Sequence, residues 1–253
     1  MQRLSPQFAM PRGRGLRADT ATDGRTTLLL TGFGPFPSVP VNATMMLVPR
    51  VAVAARRIFP AVRIVSDILP TEWVAAPALV DELLAAHQPD IVLHFGVSGR
   101  ARGFEIETRG RNLRAIAPDA GGTCPSDAAV RLDGTLLLPS RMPVAEIVRR
   151  LRHLRLPAYR SWNAGAYLCN ATLYHALTQT RGQPTQVGFV HIPDLLAPSG
   201  PLRLSTGHLR SGPGCPLSWP QALIGSLEII AALLGQPSPN AGRRLPTRPQ
   251  RVR

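Results

Sequence analysis

Cys169 stands in SWNAGAYLCNATLYHAL, an apolar run with helical spacing, and is one of three cysteines in 253 residues. Most free cysteines simply fill cores, whereas one that does chemistry attacks as its thiolate and needs a base beside it. Histidine suits that task near neutral pH, and the chain has six. His175 is nearest in sequence, but six residues along a helix turn about 600°, which leaves the two side chains roughly 240° apart around the axis. His191 is the better partner. It ends the apolar run TQVGFVHIP, where a strand-end side chain can face the start of the helix that precedes the strand. A base of this kind is usually oriented by a carboxylate that fixes its tautomer and stabilises the imidazolium. Glu105, Glu107, Asp119 and Asp194 all lie near strand ends, and spacing alone does not choose among them.

A second group of residues suits binding. In GFGPFP, Phe33 and Phe36 follow a strand end and can form two apolar walls for a small ring. The same loop is a poor phosphate cradle. Pro37 takes the place of the last glycine of G-x-G-x-x-G, and no GK[ST] follows as a P-loop requires.

These residues are scattered over some 160 positions, so the fold must gather them. Short apolar runs ending in Gly or Pro, TTLLLTGF, AVRIVSDILP, DIVLHFGVSG and TQVGFVHIP, read as buried strands, with PAYRSW a short one. Between them the spacing predicts helices over 43–59, capped by Asn42 although Pro49 lies inside; from Thr71 to His87; over PVAEIVRRLRHL; over NAGAYLCNATLYHALTQT; and near WPQALIGSLEIIAALLG. The segment 108–122 reads as irregular and VRLDGTLLLP as strand or extended loop. Strand and helix in alternation predict one α/β domain over 27–235, with a mainly parallel, twisted sheet covered by helices on both faces. In such a sheet ligands bind at the carboxyl ends of the strands, and the loops GFGPFPSVPVN, GVSGRARGFEIE, WNAGAYLC and HIPDLL supply the residues above.

Composition narrows the function classes. With 44% apolar and 17% charged residues the chain is built to bury a core, and no apolar run approaches the roughly 18 residues of a membrane span. Three cysteines without CxxC spacing suggest neither a disulfide framework nor a thiol zinc site, so a reducing, cytoplasmic setting is expected. The net charge of +14 is carried entirely by arginine, and +8 of it falls in an Arg-rich leader, 1–26, and a Pro- and Arg-rich tail, 236–253, both expected to be disordered. A body this modestly basic argues against nucleic-acid binding as the main role, leaving it as a property of the tails alone.

Four segments, in chain order, resemble the pyroglutamyl peptidase I family of cysteine omega-peptidases, also called pyrrolidone-carboxylate peptidases. TGFGPFPSVPVN is similar to the family's TGFxPFxxxxxN, PDAGGTCP to PDxxGxxP, SWNAGAYLCNATLYHAL to its nucleophile segment, and GFVHIP to its histidine motif. The resemblance implies Cys169 as nucleophile and His191 as general base. It also implies Glu107 as the acid, because the family's glutamate lies eleven residues after a strand-end glycine, here Gly96, and five before an asparagine, here Asn112. Phe33 and Phe36 match aromatics that sandwich the pyrrolidone ring, Asn42 a residue near its lactam, and Tyr167 and Leu168 further pocket positions. The implied activity removes N-terminal pyroglutamate from peptides through an acyl-enzyme, with no metal or organic cofactor and with assembly into homo-oligomers. Val97, Thr108 and Asp194 depart from the family's usual Gln, Arg and aromatic residue. They point to an alternative, a hydrolase of the same fold with a shifted amide substrate or weak activity.

Overall fold

The computed structural model describes residues 24–36, 39–197 and 216–241. Residues 1–23 of the expected leader, Pro37, His208, Cys215 and residues 242–253 of the expected tail lie outside the described residues. The elements run β1 (Thr27–Phe33), α1 (Ala43–Ile58), β2 (Arg63–Leu69), α2 (Ala75–His87), β3 (Ile91–Ser98), β4 (Phe104–Glu107), β5 (Arg109–Arg111), β6 (Leu137–Pro139), α3 (Val144–His153), β7 (Ala158–Ser161), α4 (Leu168–Gln179), β8 (Gln186–Pro193) and α5 (Trp219–Leu233). No helix among the described residues is long and apolar enough to cross a membrane.

Six strands form one sheet in the order β2-β1-β3-β8-β4-β7, and β5 with β6 makes a separate antiparallel ribbon. β2, β1, β3 and β8 are parallel, whereas β4 runs antiparallel to β8 and parallel to β7. Successive strand residues point to opposite faces. Leu28, Leu30, Leu93, Phe95, Val190 and Ile192 therefore enter one core, where α1, α3 and α5 cover them, while Leu29, Phe33, Val92, Val187 and Phe189 enter another beneath α2 and α4. Each fully buried Leu, Ile or Phe contributes about 1.5–3 kcal/mol, which is why both faces need their helices.

Residues 109–111, expected to be irregular, form β5 against β6, and four further boundaries differ from those the sequence suggests, each for a local reason. Phe104–Glu107, expected in a loop, is a strand: Phe104 and Ile106 fill the α1/α3/α5 core, and the alternating glutamates face the other side. Helix α2 starts at Ala75 and not at Thr71, because the Thr71 hydroxyl donates to the Gly34 carbonyl and the Trp73 N–H to Asp119. Helix α4 starts at Leu168 and not near Asn163. Gly165, at φ +83°, turns the chain before it, with the Asn163 side chain accepting the Gly165 N–H at 3.1 Å. At the other end, residues 236–241 pack instead of beginning a free tail. Ser238 and Asn240 donate to the buried Glu228, and Arg150 donates to the Gln236 carbonyl. Asn42 does cap α1, accepting from the Thr44 N–H at 3.0 Å, and the helix continues through Pro49.

Candidate active site

The sheet supplies a floor on which three strands meet. Gly96 of β3 lies in register with His191 of β8, and His191 lies opposite Glu105 of β4. Since Val190, Ile192, Phe104 and Ile106 all point into the α1/α3/α5 core, His191, Glu105 and Glu107 project together from the face covered by α4. Cys169 is the second residue of α4, so the helix sets its thiol down on that floor. The fit is close. A Cβ on Gly96 would stand 3.0 Å from the Cys169 sulfur and 2.6 Å from the Phe189 ring, so only glycine leaves the sulfur its place beside His191.

His191 Nδ1 and Glu107 Oε1 are 2.8 Å apart and both side chains are buried. Cys169 is the imidazole's other close partner, the sulfur lying over Gly96, which is in register with His191. Burial, the largest single influence on His191, disfavours its cation; the charge of and hydrogen bond to Cys169, with the hydrogen bond to and charge of Glu107, together outweigh it and raise the pKa to about 10. Both partners thus favour the imidazolium over the neutral ring. Glu105 is half-buried, and its carboxyl is held above its ordinary value by burial and by the Glu107 charge, against the pull of His191 and Arg102. Glu105, Glu107 and His191 bring their donor atoms within 4.8 Å of one another, the spacing of a metal site, with Nδ1 of the ring already paired to Glu107.

A cavity of about 280 Å³ opens over the thiol, at the small end of the roughly 300–1,000 Å³ typical of ligand pockets. Phe33, Phe36, Asn42, Thr71, Tyr167 and Leu168 line it, and Val97, Ser98, Glu105 and Asn163 are also in its wall. The Tyr167 ring stands 6.0 Å from Phe36 and edge-on to Trp73 at 5.1 Å, while its hydroxyl donates to the Pro118 carbonyl. Asn42 is held by the fold, with one amide N–H donating to the Gly34 carbonyl and its oxygen accepting from both the Thr44 N–H and hydroxyl, and it lies in the cavity wall.

The other acids considered from sequence do different work. Asp119 accepts the backbone N–H groups of Trp73, Gly121 and Thr123, each at 2.9 Å; burial alone would raise its carboxyl, and these hydrogen bonds bring it below its usual range. It anchors the loop that braces Trp73 and Tyr167. Asp194 lies against Gly99, outside the cavity wall. His175 pairs with Asp81 at 2.8 Å, away from the thiol. A larger cleft of about 630 Å³ opens at the opposite end of the strands, beside Asp90 and Thr185, with neither cysteine nor histidine in its wall. Sequence reasoning misses Thr71, Trp73 and Phe189. The last lies 4.8 Å from the His191 ring and 6.2 Å from Phe33, filling the space beneath both. The only signal for Thr71 and Trp73 is their place just after a strand end, PTEWV, which reads equally well as the start of a helix.

The chain matches the pyroglutamyl peptidase family over residues 26–200. It is 34% identical over 173 residues to the pyrrolidone-carboxylate peptidase of Cupriavidus taiwanensis, covering 67% of this chain and 79% of that protein. It is 29% identical over 172 residues to the enzyme of the same name from Pyrococcus furiosus, with 66% and 80% covered. Among solved structures, pyroglutamyl peptidase I of Bacillus amyloliquefaciens superposes with a TM-score of 0.70 at 26% identity, over 84% of this chain and 98% of that one.

Proposed function

The chain belongs to the pyroglutamyl peptidase family of cysteine peptidases, and on that premise we propose that it cleaves the amide bond after an N-terminal pyroglutamyl residue through Cys169, His191, Glu107 and an acyl-enzyme. The Cys169 thiolate attacks the carbonyl that joins pyroglutamate to the next residue. The charge that develops on the carbonyl oxygen is met by the N–H groups of the first turn of α4, which have no partner within the helix and lie at its positive end. As the C–N bond breaks, His191 gives its proton to the leaving nitrogen, and a pyroglutamyl thioester remains on Cys169. Water then attacks the thioester while the neutral His191 takes its proton. The C–S bond breaks, pyroglutamate leaves, and the ion pair is restored. Glu107 holds the Nδ1 proton and with it the orientation of the ring.

The observation that carries this reading is the aromatic and uncharged part of the cavity lining. A pyroglutamyl ring has no amine to pair, and Phe33, Phe36, Asn42, Thr71, Tyr167 and Leu168 offer it aromatic walls and neutral polar groups without a carboxylate. A peptidase for free N-termini needs an anion there. The test is release of a fluorescent amine from its pyroglutamyl amide, with the alanyl and prolyl amides as controls. Only the pyroglutamyl amide should turn over, and Cys169→Ser should lower kcat by at least about 10³. Equal activity of the two proteins would remove Cys169 from the mechanism. Val97 favours a second reading, a shifted amide substrate, since it puts an apolar side chain in the cavity wall; faster turnover of another cyclic or uncharged acyl amide would select it.

A further inference from the structure

The site has a direction across the sheet. Phe33 lies on β1, Gly96 and the thiol at β3, His191 on β8 and Glu105 on β4, in that lateral order. Strands are about 4.8 Å apart, so Glu105 lies about 5 Å to one side of the His191 backbone and the strand of Phe33 about 10 Å to the other. The acyl ring occupies the aromatic end. His191 has to meet the leaving nitrogen, so the peptide beyond the scissile bond departs on the His191 side, toward β4.

Glu105 waits on that side. It lines the cavity, is partly buried and stands directly opposite His191 across the β4–β8 pair. The charged groups around it are His191 and Glu107, both buried and engaged with each other, and the exposed Arg102 on its own segment. A pyroglutamyl head carries no charge, so the side chain that follows it is the first place where substrates differ electrostatically. We propose that Glu105 is a specificity-determining residue that favours peptides in which a cationic residue, lysine or arginine, follows pyroglutamate, and disfavours an acidic one. This rests on the pyroglutamyl reading above and names its preferred substrate class.

The test compares kcat/KM for three dipeptide amides, pyroglutamyl-lysine, pyroglutamyl-alanine and pyroglutamyl-glutamate, by the amino acid amide released. In the wild type the lysine substrate should exceed the glutamate one by about five- to tenfold at low salt, attraction being lost and repulsion added in the exchange, with the difference mainly in KM and shrinking at high salt. In Glu105→Gln, and in Glu105→Thr as a second variant that keeps strand propensity, the ratio should fall to about twofold or less. Turnover of all three without charge preference, or a preference that survives both substitutions, overturns the inference and leaves the pyroglutamyl reading intact. Loss of turnover on every substrate in both soluble variants assigns Glu105 to the chemical step and also overturns it. No turnover of any substrate by the wild type removes the pyroglutamyl reading itself and the inference with it.

Discussion

Gly96→Ala adds one methyl group at the most crowded point of the site, and its effect can be worked from the contacts. The new Cβ would lie 2.6 and 2.8 Å from two atoms of the Phe189 ring and 3.0 Å from the Cys169 sulfur. Carbon atoms rest at about 3.5–4.0 Å, so the ring must withdraw by about 1 Å and the sulfur by roughly half that. Phe189 has no free space to take, being fully buried between Phe33 at 6.2 Å and His191 at 4.8 Å between ring centres. Its displacement is therefore passed to the imidazole, so the thiol and its base are both moved. Overpacking of this size costs about 1–3 kcal/mol of stability, and a misplacement of about 1 Å at reacting groups lowers the rate by about 10²-fold. The expected result is a kcat on the pyroglutamyl amide reduced by roughly one to two orders of magnitude with KM changed little, a lower urea midpoint, and slower alkylation of Cys169 by iodoacetamide. A Gly96→Ala protein with wild-type kcat and an unshifted midpoint would refute the packing argument and, with it, the placement of the thiol over this residue.

Two further outcomes follow from the charged groups. Glu107→Gln keeps the shape but removes the negative charge that holds His191 protonated, so kcat should drop by about 10²–10⁴ with the alkaline limit of the pH profile moving down; a larger loss in Glu105→Gln would exchange the roles of the two acids. His94, fully buried with its Nδ1 at 2.6 Å from the Thr31 hydroxyl, has its pKa lowered to about 3, first by burial and then by the charge of His175. The folded state holds His94 neutral while the unfolded chain protonates it below its ordinary value of 6.5, so this stability is full above that pH and is lost progressively as pH falls from 6.5 toward 3. At pH 5 the loss is ~2 kcal/mol, and urea unfolding at pH 7 and pH 5 should show that difference reduced in His94→Gln; an identical difference in both proteins would mean that other groups carry the acid sensitivity.

How much of this was legible beforehand depends on which residues face water. Strands β1, β3 and β8 are continuous apolar runs because helices cover both their faces, and such runs announce themselves in sequence. β4 does not. Its four residues alternate Phe, Glu, Ile, Glu, and a strand whose polar residues face a buried site is indistinguishable by pattern from a loop with acidic residues turned to solvent. That ambiguity kept spacing alone from choosing between Glu105 and Glu107, and only the family resemblance pointed to Glu107, since the antiparallel pairing that sets the distance of each from His191 is encoded in no spacing. The start of α4 was hidden for a related reason. NAGAY has helix-compatible residues, and what stops the helix before Leu168 is the left-handed turn at Gly165, held by Asn163 and by Arg111 donating to the Gly165 carbonyl. The late start places Cys169 in the first turn of α4, at the positive end of the helix and beside N–H groups that have no partner within it. Cys169 was therefore recognisable as the candidate nucleophile from its neighbours in sequence, while its place at the start of α4 is set by a backbone turn at a glycine that the apolar periodicity passes over.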